Sequence, residues 1–323
     1  MRLTYREALR LGLKEVLANN RNSFLIGEDV GAYGGTYAVS KGFLSLFGDQ
    51  KIIDAPLSEV GFTGLGIGAA IGGMRPIVEI MTINFALLAF DQIINSASIY
   101  NFMSGGQITV PIILRMTSGG GRQLAAQHSN SFEGWLAHIP GLKIFTPATV
   151  EDARFMLVHA MKESSPVIII EHAVLLNLIE DCPEVCVDFN PYKAQIKKNG
   201  KDLTVITYGG MLPRCMKASE ELLKNGHEVE VIDLRCLRPL DNETIFNSIK
   251  KTHKVLIVDE GYKSSSLSAE ISARIMESCF YDLDAPVQRL CRREIPIPYA
   301  RHLEELIIPQ TENIISKIEE MLR

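Results

Sequence analysis

Short, unbroken apolar runs punctuate the chain. They lie at residues 24–27, 51–54, 76–80, 111–115, 142–145 and 167–171, and helical stretches separate several of them. Runs of Val and Ile without polar alternation predict strands covered on both faces, hence a parallel sheet between helices. Thr4 precedes Glu7 at capping-box spacing, which predicts an opening helix. Between residues 177 and 201 the rhythm breaks. Pro183, Pro191, two cysteines and scattered charges predict a long connection there. A second rhythm follows. Runs at 203–207, 229–233 and 255–258 alternate with helices expected over 214–225, near 242–251 and after Leu267, where Ile271 and Ile275 share a face. The predicted fold class is α/β in two domains, residues 1–190 and 200–323.

Residues 61–73 read Gly-Phe-Thr-Gly-Leu-Gly-Ile-Gly-Ala-Ala-Ile-Gly-Gly. Gly64-x-Gly66-x-x-Ala69 formally matches a dinucleotide fingerprint. A true fingerprint needs a strand running straight into the turn, and here the preceding run ends near Asp54. Spacing of four fits better: Gly64, Gly68 and Gly72 fall on one face of a helix. Each costs about 1 kcal/mol relative to Ala, so the stripe implies a close backbone approach, either inside the molecule or at a subunit interface.

Composition narrows the function classes. Apolar residues make up 46% and charged residues 22%, as in a globular protein rather than a disordered chain or a rod. The formal net charge of −5 gives no basic footprint for nucleic acid. The longest small apolar run is too short and glycine-rich to span a bilayer, so no membrane partner is expected. Six cysteines without a C-x-x-C pair, after an N-terminus with no apolar leader core, predict free thiols in a cytoplasm.

Several polar residues in apolar surroundings are candidates for chemistry. Glu59 sits between Leu57 and Val60, just ahead of the glycine stretch. It either complements the helix dipole or is a carboxylate aimed into a site. Glu28 and Asp29 follow the first strand directly, at the carboxyl edge where open α/β sheets place ligands. Gln127-His128-Ser129 follows a glycine loop beyond the 111–115 run. His128 is a candidate for proton transfer or a plain surface histidine. Phe85 and Phe90 flank an expected apolar helix, with Asp91 and Asn95 one turn apart.

Taken in order, these segments resemble the beta subunits of the thiamine-diphosphate-dependent decarboxylase component of 2-oxo acid dehydrogenase complexes. The likeness covers nearly the whole chain. It rests on Gly27-Glu28-Asp29-Val30, on residues 53–61 (Ile-Asp-Ala-Pro-Leu-Ser-Glu-Val-Gly) and on residues 79–85 (Glu-Ile-Met-Thr-Ile-Asn-Phe). It also rests on Met103-Ser104-Gly105-Gly106, Ala125-Ala126-Gln127-His128-Ser129, Pro140-Gly141-Leu142-Lys143, Leu237-Arg238-Pro239-Leu240, Asp259-Glu260-Gly261 and Ile297-Pro298-Tyr299-Ala300. The pyruvate dehydrogenase type is the nearest match. Acetoin dehydrogenases share much of the layout; branched-chain 2-oxo acid dehydrogenases, the other alternative, tend to carry a Gln-Phe-Ala-Asp-Tyr-like run where this chain has residues 81–85, and a non-catalytic assembly subunit is the competing class.

The resemblance implies a transketolase-like pyrimidine-binding domain, then a transketolase C-terminal domain, in an α2β2 assembly with an alpha subunit. The cofactor it implies is thiamine diphosphate, with Mg²⁺ held by the alpha chain through a Gly-Asp-Gly motif; this chain has only Gly48-Asp49-Gln50. Glu59 matches the family's catalytic acid at the aminopyrimidine N1′, and Phe85 matches the aromatic ring against that pyrimidine. Met81 and Glu28 fall in the same cofactor pocket. His128 matches a channel histidine acting in proton transfer or lipoyl orientation. Some members bind K⁺ through carbonyl oxygens, at positions matching Ile112, Ala160, Met161, Glu163 and Ser165. The implied partners are a small 2-oxo acid and a dihydrolipoyl acyltransferase core.

Overall fold

The computed structural model describes residues 1–323. The chain forms two compact units. One comprises residues 1–118 and 136–191, the other residues 119–135 and 192–323. The segment 119–135 lies within the first half of the sequence but folds as part of the second unit.

In the first unit, β1 (Arg2–Thr4) leads into the helix Tyr5–Asn19. Thr4 and Glu7 form the reciprocal capping box that their spacing predicts. The strands are β2 (Ser23–Gly27), β3 (Ile52–Asp54), β4 (Arg75–Ile80), β5 (Ile113–Ser118), β6 (Lys143–Phe145) and β7 (Val167–His172). They pair in parallel in the order β6–β7–β5–β4–β2–β3. β2, β5 and β7 are buried along their whole length, as continuous Val/Ile runs require. β8 (Ile179–Asp181) returns to pair antiparallel with β1, inside the stretch expected to be connection alone.

The second unit holds a sheet in the order β14–β13–β10–β11–β9. Its members are β9 (Gln195–Lys198), β10 (Leu203–Thr207), β11 (Val229–Asp233), β13 (Val255–Tyr262) and β14 (Gln288–Arg292); a short β12 (Cys236–Arg238) lies between β11 and β13 in sequence. Only β9, at the edge, runs antiparallel. The expected helices occur at Leu212–Lys224, Asn242–Thr252 and Leu267–Cys279, with Ile271 and Ile275 buried. No helix of either unit is long and apolar enough to cross a membrane.

The segment after Phe85 departs from the expected plain α-helix. It is a 3₁₀ turn (Phe85–Ala89), one short α-helical turn (Phe90–Gln92) and a π-turn (Ile93–Ala97). Asn95 Nδ2 still donates to Asp91 Oδ1 at 2.8 Å, the one-turn pair that the spacing suggests.

Candidate functional site

Three segments at the carboxyl edge of the first sheet define the candidate site. β2 ends at Gly27, where a Cβ would lie 2.4 Å from the Glu79 carbonyl oxygen, so only glycine fits beside β4. Glu28 follows, buried. Asp29 then adopts a left-handed φ of 56°, and Asp54 at the end of β3 accepts from the N–H groups of Gly31 (2.6 Å) and Ala32 (2.9 Å). These contacts fix the turn that carries Glu28.

Glu59 opens the glycine helix Glu59–Ile71 and is 7% exposed. Glu28 and Glu59 stand near enough to repel. Burial first, then the charges of Glu59 and Asp29, raise the Glu28 carboxyl above the ordinary glutamate range. Glu28 Oε1 is buried with no hydrogen-bond partner. Two carboxyls lie together, therefore, and one has an acceptor oxygen with no donor supplied by the chain.

The third segment follows β4. Ile83 N–H donates to Thr117 O (2.8 Å) and Phe85 N–H to Thr82 O (3.0 Å), which sets the turn carrying Met81 and Phe85; both side chains are half-buried. Thr82 Oγ1 and Asn84 Oδ1 are also buried without partners. An ion-pair cluster lies beneath. Arg115 on β5 pairs with Glu79 on β4 and with Glu171 on β7, both at 2.7 Å. Burial raises the Glu171 carboxyl despite the arginine beside it. The signal was present: one charged residue interrupts or closes each of three apolar runs.

In the glycine helix the close internal approach falls off the predicted stripe. A Cβ on Gly66 would meet Val78 Cγ2 at 2.6 Å and Ile112 Cδ1 at 3.2 Å, so the close internal approach is made there. The Gly64–Gly68–Gly72 stripe lies on the other side, where a Cβ on Gly64 would still meet Gln92 Oε1 at 3.1 Å. Gly68 faces open space, and Leu57, Val60, Leu65 and Ile71 nearby are exposed apolar residues. A nucleotide turn is absent, because Gly64 and Gly66 lie inside the helix.

His128 belongs to the second unit. It is exposed, and its N–H donates to Ala125 O at 3.3 Å. The carbonyls of Ile112 and Ala160 accept from Val167 N–H (3.0 Å) and Glu163 N–H (3.1 Å), each with a second lone pair remaining. The Glu163 carbonyl accepts from the Arg75 guanidinium, and the Glu163 carboxylate pairs with Lys143.

Comparison with known proteins identifies the family. Residues 1–177 match the transketolase pyrimidine-binding domain and residues 192–314 the transketolase C-terminal domain. A Rhizobium meliloti pyruvate dehydrogenase E1 component subunit beta is 42% identical over 317 residues, covering 98% of this chain and 69% of the relative. The chain belongs to the family of pyruvate dehydrogenase E1 beta subunits. The mitochondrial E1 beta subunit of Dictyostelium discoideum is also 42% identical, covering 97% of this chain and 89% of the relative. The pyruvate dehydrogenase E1 component subunit beta of Rickettsia conorii is 38% identical, covering 99% of this chain and 98% of the relative. A solved structure described as a split-gene transketolase, inactive beta4 tetramer, superposes with a TM-score of 0.79 over 99% of this chain and 98% of the other. At 20% identity it bears on the fold alone, and it agrees with the α/β reading. Family membership carries with it the thiamine-dependent, transketolase-like class.

Proposed function

We propose that this chain is the beta half of a heterotetrameric, thiamine-diphosphate-dependent pyruvate dehydrogenase, active only with an alpha subunit. The observation that carries this reading is the pair Glu28–Glu59 at the carboxyl edge of the sheet. It is buried and short of donors, and the half-buried Phe85 and Met81 stand on the turn after the neighbouring strand. An aminopyrimidine ring suits such a set of groups, because its amino group and protonated N1′ are donors and its faces are apolar. Thiamine diphosphate, when bound, supplies an acidic thiazolium carbon and an electron sink for decarboxylating a 2-oxo acid.

The chain's own residues then have distinct tasks. Glu59 holds a proton at the ring nitrogen N1′, and its place at a helix start, out of water, fixes its aim. Glu28 keeps its proton at a higher pH than an ordinary glutamate and is the second acid of the pocket. Phe85 would pack against the ring, a contact worth roughly 0.5–1.5 kcal/mol beyond area burial. Met81 lines the same pocket. His128 orients the lipoyl group, or moves a proton, as the acyl group leaves for the dihydrolipoyl acyltransferase core. The alpha chain grips the diphosphate and Mg²⁺, since Gly48-Asp49-Gln50 is this chain's only approach to the motif for them. The exposed glycine face and its apolar neighbours seat a partner subunit.

The potassium set fits a monovalent cation in kind. Ile112, Ala160, Met161, Glu163 and Ser165 would offer neutral main-chain carbonyls around the end of the helix Val150–Ala160, where carbonyls lack helical partners. Arg75 already brings positive charge to the Glu163 carbonyl, so the other four carry most of the task.

Co-expression with a Gly-Asp-Gly-containing alpha chain tests the reading, with pyruvate, 2-oxoisovalerate and acetoin compared through an artificial electron acceptor. Pyruvate is expected to turn over fastest. Preference for 2-oxoisovalerate or acetoin would reassign the substrate, and no turnover of any of them would remove the catalytic role.

A further inference from the structure

The loop that bears His128 has a costly backbone. Gly119, Gly121, Gln123 and Ala125 all have positive φ (85°, 91°, 57° and 61°), and two of these are not glycine. Each strained non-glycine position costs on the order of 1–3 kcal/mol and persists only where its surroundings over-determine it. Those surroundings lie within the same unit. Alternating backbone of this kind turns successive N–H groups toward one side and makes a seat for an anion.

The anions are supplied by two buried carboxylates. Glu260 Oε1 accepts from Gly120 N–H at 2.7 Å. Glu304, on the helix Arg301–Ile307, accepts from Gly121 N–H with Oε1 at 2.8 Å and from Gln123 N–H with Oε2 at 3.0 Å. Glu304 is 1% exposed. Hydrogen bonds from amides to an ionised carboxylate are roughly twice as strong as neutral ones, so both oxygens of Glu304 are committed to the loop.

The other flank of His128 is tied as well. Arg292, also buried, donates from Nη1 to Ser129 O and from Nε to Glu260 O, both at 2.9 Å. Gly119 N–H donates to Asn130 O at 3.1 Å and closes the loop on itself. A Cβ on Gly120 would meet Ile308 Cδ1 at 2.7 Å and Ile297 Cδ1 at 2.8 Å, so the loop also lies flush on apolar side chains.

We infer that Glu304 is a positioning residue for His128. Its carboxylate holds the strained loop 119–125 in the one shape that presents the imidazole for acyl transfer, while Arg292 fixes the residue that follows. This inference rests on the role given to His128 above. A helix far along the sequence thereby governs a step carried out by a loop of the first half.

The test uses the assembled heterotetramer with Glu304→Ala, Glu304→Gln and His128→Ala. Hydrogen exchange is followed at the amides of residues 119–130, and acetyl transfer to a lipoyl domain is measured as kcat and KM. Glu304→Ala should speed exchange at Gly121 and Gln123 by about tenfold or more, with exchange in β10 and β11 unchanged. Transfer kcat should fall roughly 10- to 100-fold, as misplacement of a reacting group does. Glu304→Gln keeps one acceptor oxygen and should lie between. It also preserves the test if the alanine variant does not fold. Unchanged loop exchange, equal acceleration across the whole unit, or normal transfer beside an impaired His128→Ala would overturn the inference. Normal transfer by His128→Ala itself would instead sink the reading of His128 on which it rests.

Discussion

Glu28 and Glu59 are two acids that water would normally keep apart. Their places follow from Gly27, which lets β2 press on β4, and from Asp54, which holds the turn after Asp29. Folding raises the Glu28 carboxyl, so the folded chain holds that proton more tightly than the unfolded chain. The stabilising contribution is therefore full below the ordinary glutamate range. It is lost as pH rises through that range to the elevated value. Glu28→Gln should remove the loss: in urea unfolding of the free chain, the variant should gain on the wild type as pH rises through that window. A difference that does not change with pH would show that Glu28 is not strained by its neighbours. Glu59 was legible in the sequence as a carboxylate before a glycine helix. Its nearness to Glu28 was not, because residues 31 positions apart in sequence meet only through the parallel pairing of β2 and β3.

Elements were legible where their signal was local. The capping box of Thr4 and Glu7, the buried Val/Ile strands and the amphipathic helix after Leu267 each carry a short-range pattern that the fold keeps. The turn after Phe85 was not legible. Its 3₁₀, α and π turns follow one another without a Pro or Gly to mark them, and tertiary packing of Ala86, Ala89, Ile93 and Ala97 decides it. The strained loop 119–125 was visible as glycines, yet its two carboxylate anchors lie more than a hundred residues away. The glycine helix divides its labour by face, and this can be measured. Gly66→Ala must displace Val78 and should cost about 1–3 kcal/mol in chemical unfolding. Gly68→Ala meets nothing and should stabilise the free chain by about 1 kcal/mol. Gly68→Leu should fold yet fail to assemble with the alpha chain in sedimentation analysis. Normal assembly of Gly68→Leu would remove the glycine face from the interface.

The molecule as a whole is two α/β units, with one loop of the first half of the sequence folded into the second unit. The net charge of −5 offers no basic footprint for nucleic acid, and no apolar run or helix is long enough to cross a membrane. The enzyme class came from many ordered short segments, each weak alone. The potassium site proposed above would act at this scale, since its ligands before β5 and at the end of the helix Val150–Ala160 would be bound together. Replacing choline by potassium at constant ionic strength should raise the thermal midpoint of the assembled protein, by about 2–4 °C for each kcal/mol of linkage. An identical midpoint in the two salts would empty the proposed site. In the proposed function this chain supplies the acid for a cofactor it holds only in part. The direct measurement is the rate of deuterium exchange at the thiazolium C2 of thiamine diphosphate in the heterotetramer, wild type against Glu59→Gln. A loss of roughly 10²–10⁴-fold is expected, the range for removing a positioned acid–base group. Exchange at the wild-type rate would contradict it.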